Sequence, residues 1–192
     1  MDKSANRPTI RTLLVTLTLV AVIVVIGVVS NQIQFSLIDR RPEVRMVPFC
    51  RERGVHLLAY GTACGGLLSK RYLNQPEPRD SALDTVSLRK YKRMVDTWGG
   101  WELFQELLTA LSDVANRHAV GITTVAVRWV LDRAAVAGAI LGRRLGLSDH
   151  RDDDTRVFGF GLDAEDHAHI EAVQAKSRDL FSLIGDCGDE YR

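Results

Sequence analysis

The residue types able to do chemistry are scattered through this sequence. Its three cysteines, Cys50, Cys64 and Cys187, are widely spaced and odd in number. That argues against a disulfide framework or a zinc site and for buried or incidental thiols in a reducing compartment. His167 and His169 stand two apart on a predicted helix, so they point in different directions and make poor joint ligands. Asp163, Glu165 and Asp166 open that helix and read as first-turn charges rather than as a catalytic carboxylate pair. His118 follows the end of another helix, where positive charge is mildly favoured. Gly61, Gly65 and Gly66 would let backbone amides approach a phosphate, but they form neither a Walker loop nor a GxGxxG fingerprint. Trp98 and Trp101 flank Gly99-Gly100 and read as pins between a loop and the next helix.

Composition narrows the classes. Of 192 residues 26% are charged and the net charge is +1, so no long-range attraction to nucleic acid follows. The strongest pattern is an absence of charge from Thr12 to Ile38, with an apolar heart at Leu13–Val29 behind Lys3, Arg7 and Arg11. A basic flank before such a run resembles a signal anchor. We therefore expect residues 1–27 to form an apolar N-terminal helix. Residues 12–29 would engage a membrane, giving a membrane location with a cytoplasmic one as the alternative. The competing reading is a strand buried on both faces, because Val and Ile dominate Val20–Val29. Arg40, Arg41 and Arg45 make the far flank basic too and leave orientation open.

Behind the run, short apolar stretches alternate with helical patterns. Strands are predicted at Val28–Ser36, His56–Tyr60 and Val136–Leu141. Helices are predicted at Pro42–Arg53, Trp101–His118, after a Thr123 or Thr124 cap, and at Ala164–Ala175 behind Asp163. Gly61–Gly100 reads as a long loop, Ser148–Arg156 as a polar helix or turn, and the tail beyond Arg178 carries no strong pattern. Three strands separated by helices imply a parallel sheet with right-handed crossovers.

Several linked motifs carry a resemblance. Val29-Ser30-Asn31-Gln32-Ile33-Gln34-Phe35-Ser36-Leu37 resembles the sixth barrel strand of aldo-keto reductases. Arg51–Gly61 is similar to that family's next helix-to-strand passage, and Cys64–Ser69 to the glycine-bearing loop after its seventh strand. Thr124–Leu131 and Ile140–Arg144 are similar to its eighth unit. The resemblance implies an α/β fold, a partial (β/α)8 TIM barrel holding the C-terminal units, preceded by the apolar helix. It implies three parts: the leader at 1–27, a partial NADP-dependent oxidoreductase domain at 28–177 and a tail at 178–192.

By the same resemblance Gln32 holds the nicotinamide carboxamide and Tyr60 stacks on the nicotinamide ring. Gly61, Gly65 and Gly66 approach the pyrophosphate, and Gly142 and Arg144 meet the 2′-phosphate of NADP. Arg143 departs from the small residue usual there, and His150 and Asp154 fall where the family has a polar pair. Asp154 belongs to an acidic run that reads as solvated loop. The family's catalytic Asp, Tyr, Lys and His come from earlier barrel units, whose place is taken by Met1–Gly27, which holds no Tyr and no His. The expected function is thus a truncated NADP-dependent oxidoreductase domain with no catalytic residues of its own and no metal. The alternatives are a non-catalytic, membrane-anchored or partner-binding module, or a fragment from an incomplete gene. NADPH is the expected small partner, and exposed sheet edges could drive self-association.

Overall fold

The structure, a computed structural model, describes residues 28–142 and 155–186. Among them three strands, β1 (Ser30–Gln34), β2 (His56–Tyr60) and β3 (Val136–Ile140), form a parallel sheet in the order β1-β2-β3. Gln32 pairs with Leu58 and Gln34 with Tyr60, while Tyr60 pairs with Ile140. Side chains alternate across a strand. Leu57 and Ala59 therefore enter the covered core, and His56, Leu58 and Tyr60 share the other face with Ser30, Gln32 and Gln34. Parallel sheets are normally covered on both faces. Here Val28, Val29 and Ile140 remain 70%, 59% and 42% exposed.

Helices α1 (Met46–Arg53), α2 (Val86–Trp98), α3 (Gly100–Arg117), α4 (Ile122–Leu131), α5 (Ala164–Gln174) and α6 (Leu180–Ile184) complete the described chain. Phe104, Leu107, Leu108 and Leu111 of α3 and Val125, Trp129 and Val130 of α4 fill the core with Phe35, whose ring meets Trp129 edge-on at 6.2 Å.

Four local expectations change. The helix predicted from Pro42 splits: Arg41–Glu43 is a 3-10 turn, and α1 begins at Met46. Pro48 then falls in its first turn, where a missing N–H costs nothing. Gly54, left-handed at φ 65°, ends α1 as expected. The long loop Gly61–Gly100 contains α2, capped by Thr85, whose hydroxyl oxygen accepts from the Leu88 amide at 3.0 Å. Helix α4 starts behind Gly121 rather than a threonine cap. The Thr123 hydroxyl instead donates to the Leu68 carbonyl at 2.7 Å and anchors the preceding loop. The tail holds α6, with Leu180 buried, and the Arg178 amide bonds the Trp98 carbonyl.

Other expectations hold. Asp163 caps α5, and with Asp166 it forms a reciprocal capping box. Asp166 is fully buried and also takes Arg117 and His118 Nε2, the latter at 2.7 Å, from the end of α3. Burial alone pushes its carboxyl up. The hydrogen bonds from His118, the Asp163 amide and Arg117 outweigh that and hold it below the usual carboxylate range. A folded-state pKa below the unfolded one stabilises the fold above the unfolded value of about 4. That contribution is lost as pH falls through the folded value. Thermal melts between about pH 6 and pH 3 should show a steep loss of Tm at the acid end. Asp166→Asn should melt lower at neutral pH and lose Tm less steeply on acidification. Equal pH slopes for the two proteins would contradict this account.

The predicted apolar helix at 1–27 lies outside the described residues. So do Arg143, Arg144, His150, Asp154, Cys187 and most of the polar segment at 148–156.

Candidate functional site

Two of the candidate residues, Gln32 and Tyr60, lie on one face of the sheet. Gln32 is exposed on β1, and Tyr60, half-buried, ends β2 on the same face, diagonal to it across the Gln32–Leu58 and Gln34–Tyr60 pairs. Gly61 follows Tyr60 directly, and Gly65 and Gly66 close a 3-10 turn at Cys64–Gly66. Gly142 stands two residues beyond β3 with nothing within 4 Å of where a Cβ would sit. The described structure thus puts Gln32 and Tyr60 on one face, Gly61 directly after Tyr60 with Gly65 and Gly66 in the turn that follows, and Gly142 beyond the third strand, while Arg144 lies outside the described residues.

Gly61 (φ 73°), Gly65 (φ 65°) and Gly66 (φ 100°) all need the left-handed conformations that favour glycine. Two of them also need the missing side chain. A Cβ on Gly61 would lie 2.2 Å from the Tyr91 hydroxyl, and one on Gly65 2.9 Å from Ser87 Oγ. Helix α2 is therefore seated on the glycine loop. On Gly66 a Cβ would meet nothing within 4 Å, so the loop is open on that side. The Gly66 amide already donates to the Ala63 carbonyl and the Cys64 amide to the Gly61 carbonyl, both at 2.9 Å. The turn consumes these donors, and Gly66 offers space rather than a hydrogen bond.

Beneath the site lies a buried polar network. Asp39 accepts from Gln34 Nε2 and, two-pronged, from Arg41 Nε and Nη2, all at 2.7 Å. Asp39 is 1% and Arg41 8% exposed. Gln34 Oε1 and Thr62 Oγ1 are buried with no hydrogen-bond partner among the described residues. The Cys64 thiol donates to Ser36 Oγ at 3.6 Å. Burial pushes that thiol up to about 12 despite the Ser36 hydrogen bond, so no thiolate forms there at neutral pH. Cys50 and Cys64 are both buried and free, in line with their reading as structural thiols. A groove of about 340 Å3 lined by Glu102, Gln105, Asp113 and His169 lies on the outer helical layer and contains none of these residues.

Sequence reasoning missed the α2 residues at the site. Besides Ser87 and Tyr91, α2 brings Lys90, whose Nζ lies 5.8 Å from the Tyr60 ring centroid and 5.4 Å from that of Tyr91. The signal was present as Leu88, Tyr91, Val95 and Trp98 at helical spacing behind Thr85. Lys92, buried on the same stripe, obscured it.

A model of the Aldo/keto reductase family matches residues 21–175. The chain belongs to the aldo/keto reductase family. Among curated relatives, Flagellar radial spoke protein 5 of Chlamydomonas reinhardtii is 34% identical over 105 residues, covering 53% of this chain and 19% of that protein. Protein tas of Escherichia coli (strain K12) is 31% identical over 115 residues, covering 60% of this chain and 31% of its own length. An aryl-alcohol dehydrogenase of Pestalotiopsis microspora is 31% identical, covering 72% and 32%. This aldo/keto reductase chain thus spans about a fifth to a third of the length of these relatives. Among solved structures, the glycerol dehydrogenase AKR11B4 from Gluconobacter oxydans superposes with a TM-score of 0.61 at 22% identity, covering 77% of this chain and 42% of that one. That likeness shows the fold: an α/β arrangement similar to aldo-keto reductase barrels.

The same findings correct the membrane reading of this aldo/keto reductase. The family match begins at residue 21, inside the apolar run, so family sequence accounts for the run from there on. Among the described residues no helix is long and apolar enough to cross a membrane. The anchor over residues 12–29 and the membrane location are withdrawn. The physical reason is that a Val- and Ile-rich stretch also satisfies a strand buried on both faces, and composition alone does not separate the two.

Proposed function

We propose that this chain provides the cofactor-contacting, carboxy-terminal part of an NADP-dependent oxidoreductase domain. It corresponds to the last three units of a (β/α)8 barrel over residues 28–177, behind a leader at 1–27 and before a tail at 178–192. One observation supports the reading: Gln32 and Tyr60 share a face of neighbouring parallel strands, Tyr60 at the carboxyl end of β2 with the glycine loop following it. Ligands of open α/β sheets and barrels bind at this end of the strands.

The exposed Gln32 amide can donate to and accept from a carboxamide, and the Tyr60 ring offers a stacking surface. Gly61 and Gly65 hold the loop in its left-handed turns, and the open Gly66 side leaves room for a pyrophosphate. Gly142 and Arg144 would take the 2′-phosphate, where a guanidinium grips two oxygens. The residues present fit a dinucleotide from Gln32 to Gly66. Bound NADPH supplies a hydride, and this chain's residues bind and orient it. The dehydrogenase relative makes an alcohol–carbonyl pair the proposed substrate class of the whole barrel. The reading takes the family's proton-donating Tyr and its Asp, Lys and His partners to come from outside these three units, and the chain is proposed to be inactive alone.

Cofactor fluorescence titration of the full chain tests this. NADPH should bind more tightly than NADH, and Arg144→Ala should weaken NADPH about tenfold or more while leaving NADH unchanged. Carbonyl reduction by the same sample should be absent. Equal affinity for the two dinucleotides, or clear turnover, contradicts the proposal.

A second reading has its own observation. Among the described residues the sheet ends at β1 and β3 with Val28, Val29 and Ile140 exposed, which favours self-association through edges or the open face. Concentration-dependent sedimentation would reveal it.

A further inference from the structure

We infer that Lys90 makes this site discriminate between the two redox states of the nicotinamide, favouring the reduced form; the inference rests on the cofactor reading above. Tyr60 is the ring on which that reading stacks the nicotinamide. Lys90 is its cationic neighbour, half-buried, with Nζ 5.8 Å from the Tyr60 centroid and 5.4 Å from the Tyr91 centroid.

The ammonium is held in place by its helix. On α2, Leu88, Tyr91, Val95 and Trp98 are 4%, 6%, 0% and 1% exposed, so the backbone at position 90 is anchored on both sides. Tyr91 and Ser87 lock the same helix onto Gly61 and Gly65. With the backbone so fixed, the ammonium rests beside the Tyr60 and Tyr91 rings.

The oxidised nicotinamide ring carries a formal positive charge, and the reduced ring carries none. Two effects then act in one direction. Stacking the oxidised ring on Tyr60 brings two positive charges within about 10 Å in a partly desolvated site, which is repulsive. Lys90 also already draws on the electron-rich face of Tyr60, which would otherwise stabilise a cationic ring. The phosphates of the dinucleotide attract Lys90 equally in both redox states. That attraction therefore cancels in the ratio of affinities, and the ring charge remains. At an effective dielectric typical of a partly exposed site, the combined effect is about tenfold in affinity.

The test measures dissociation constants of the full chain for NADPH, by fluorescence, and for NADP+, by displacement of NADPH. Wild type, Lys90→Gln and Lys90→Arg are compared, and thermal melts confirm that each variant folds. The wild type should bind NADPH about tenfold more tightly than NADP+. Lys90→Gln should bring the two within about threefold, chiefly by improving NADP+ relative to NADPH, and Lys90→Arg should keep the wild-type ratio. An unchanged ratio in Lys90→Gln overturns the role of Lys90 while leaving the cofactor site standing. No saturable binding of either dinucleotide to the wild type overturns the cofactor reading, and this inference with it.

Discussion

Replacing Asp39 by Ala should cost about 3–5 kcal/mol of stability, enough to unfold a marginal domain. The cause is the arginine left behind. Arg41 is 8% exposed, and its Nε and Nη2 both end on the Asp39 carboxylate, while Nη1 reaches the Gly185 carbonyl at 3.4 Å. Without Asp39 a buried charge loses its two-pronged carboxylate partner, and Gln34 Nε2 loses its 2.7 Å acceptor as well. The double variant Asp39→Ala, Arg41→Met removes the stranded charge and should recover much of the loss, because an apolar replacement of a buried pair is often nearly neutral. Urea unfolding midpoints at constant m decide it. A double variant no more stable than Asp39→Ala alone would show that the cost lies elsewhere than in the guanidinium deprived of Asp39.

Gly61→Ala should be nearly as damaging, at about 2–4 kcal/mol, for two separable reasons. The φ of 73° is a left-handed conformation that costs an alanine about 1–2 kcal/mol. The new methyl would also sit 2.2 Å from the Tyr91 hydroxyl and 2.9 Å from its ring carbon, so α2 must shift. Gly66→Ala is the control. Its φ is also positive, but a Cβ there meets nothing, so it should cost about 1–2 kcal/mol. In the Tyr91→Phe background the closest atom is gone and the Gly61→Ala penalty should shrink. A double-mutant cycle measures that coupling. Equal costs at Gly61 and Gly66 would mean that α2 does not press on the loop.

What could be read from the chain depended on how local the signal was. Strand β2 was legible to the residue, because His56-Leu57-Leu58-Ala59-Tyr60 places its apolar residues between a glycine stop and a glycine loop. Helix α3 was legible within a residue or so from its leucine stripe, and α5 from Asp163 and Asp166, a cap three residues long. Helix α2 was not. Lys92 sits on its buried stripe and reads as a break, yet its ammonium lies 2.5 Å from both Glu77 and Asp96. Asp96 is a local partner, but Glu77 comes from fifteen residues upstream, and only folding brings it there. The Thr123 hydroxyl misled in the same way. It looked like a helix cap and in fact bonds Leu68, across 55 residues. For the site, Gln32, Tyr60 and the glycines were proposed through the family resemblance, but nothing in the sequence placed α2 against Gly61, Gly65 and Tyr60.

The amino-acid order by itself determined the family and the three parallel strands. Both depend on alternation, spacing or motif within a few residues. Tertiary structure alone decided that Tyr91 and Ser87 fill the hollow of the glycine loop, that Lys90 stands over Tyr60, and that Asp39 lies buried against Arg41. The first two join segments about thirty residues apart in the chain, and the third depends on burial. Such contacts are set by how the whole core packs, which no local pattern encodes.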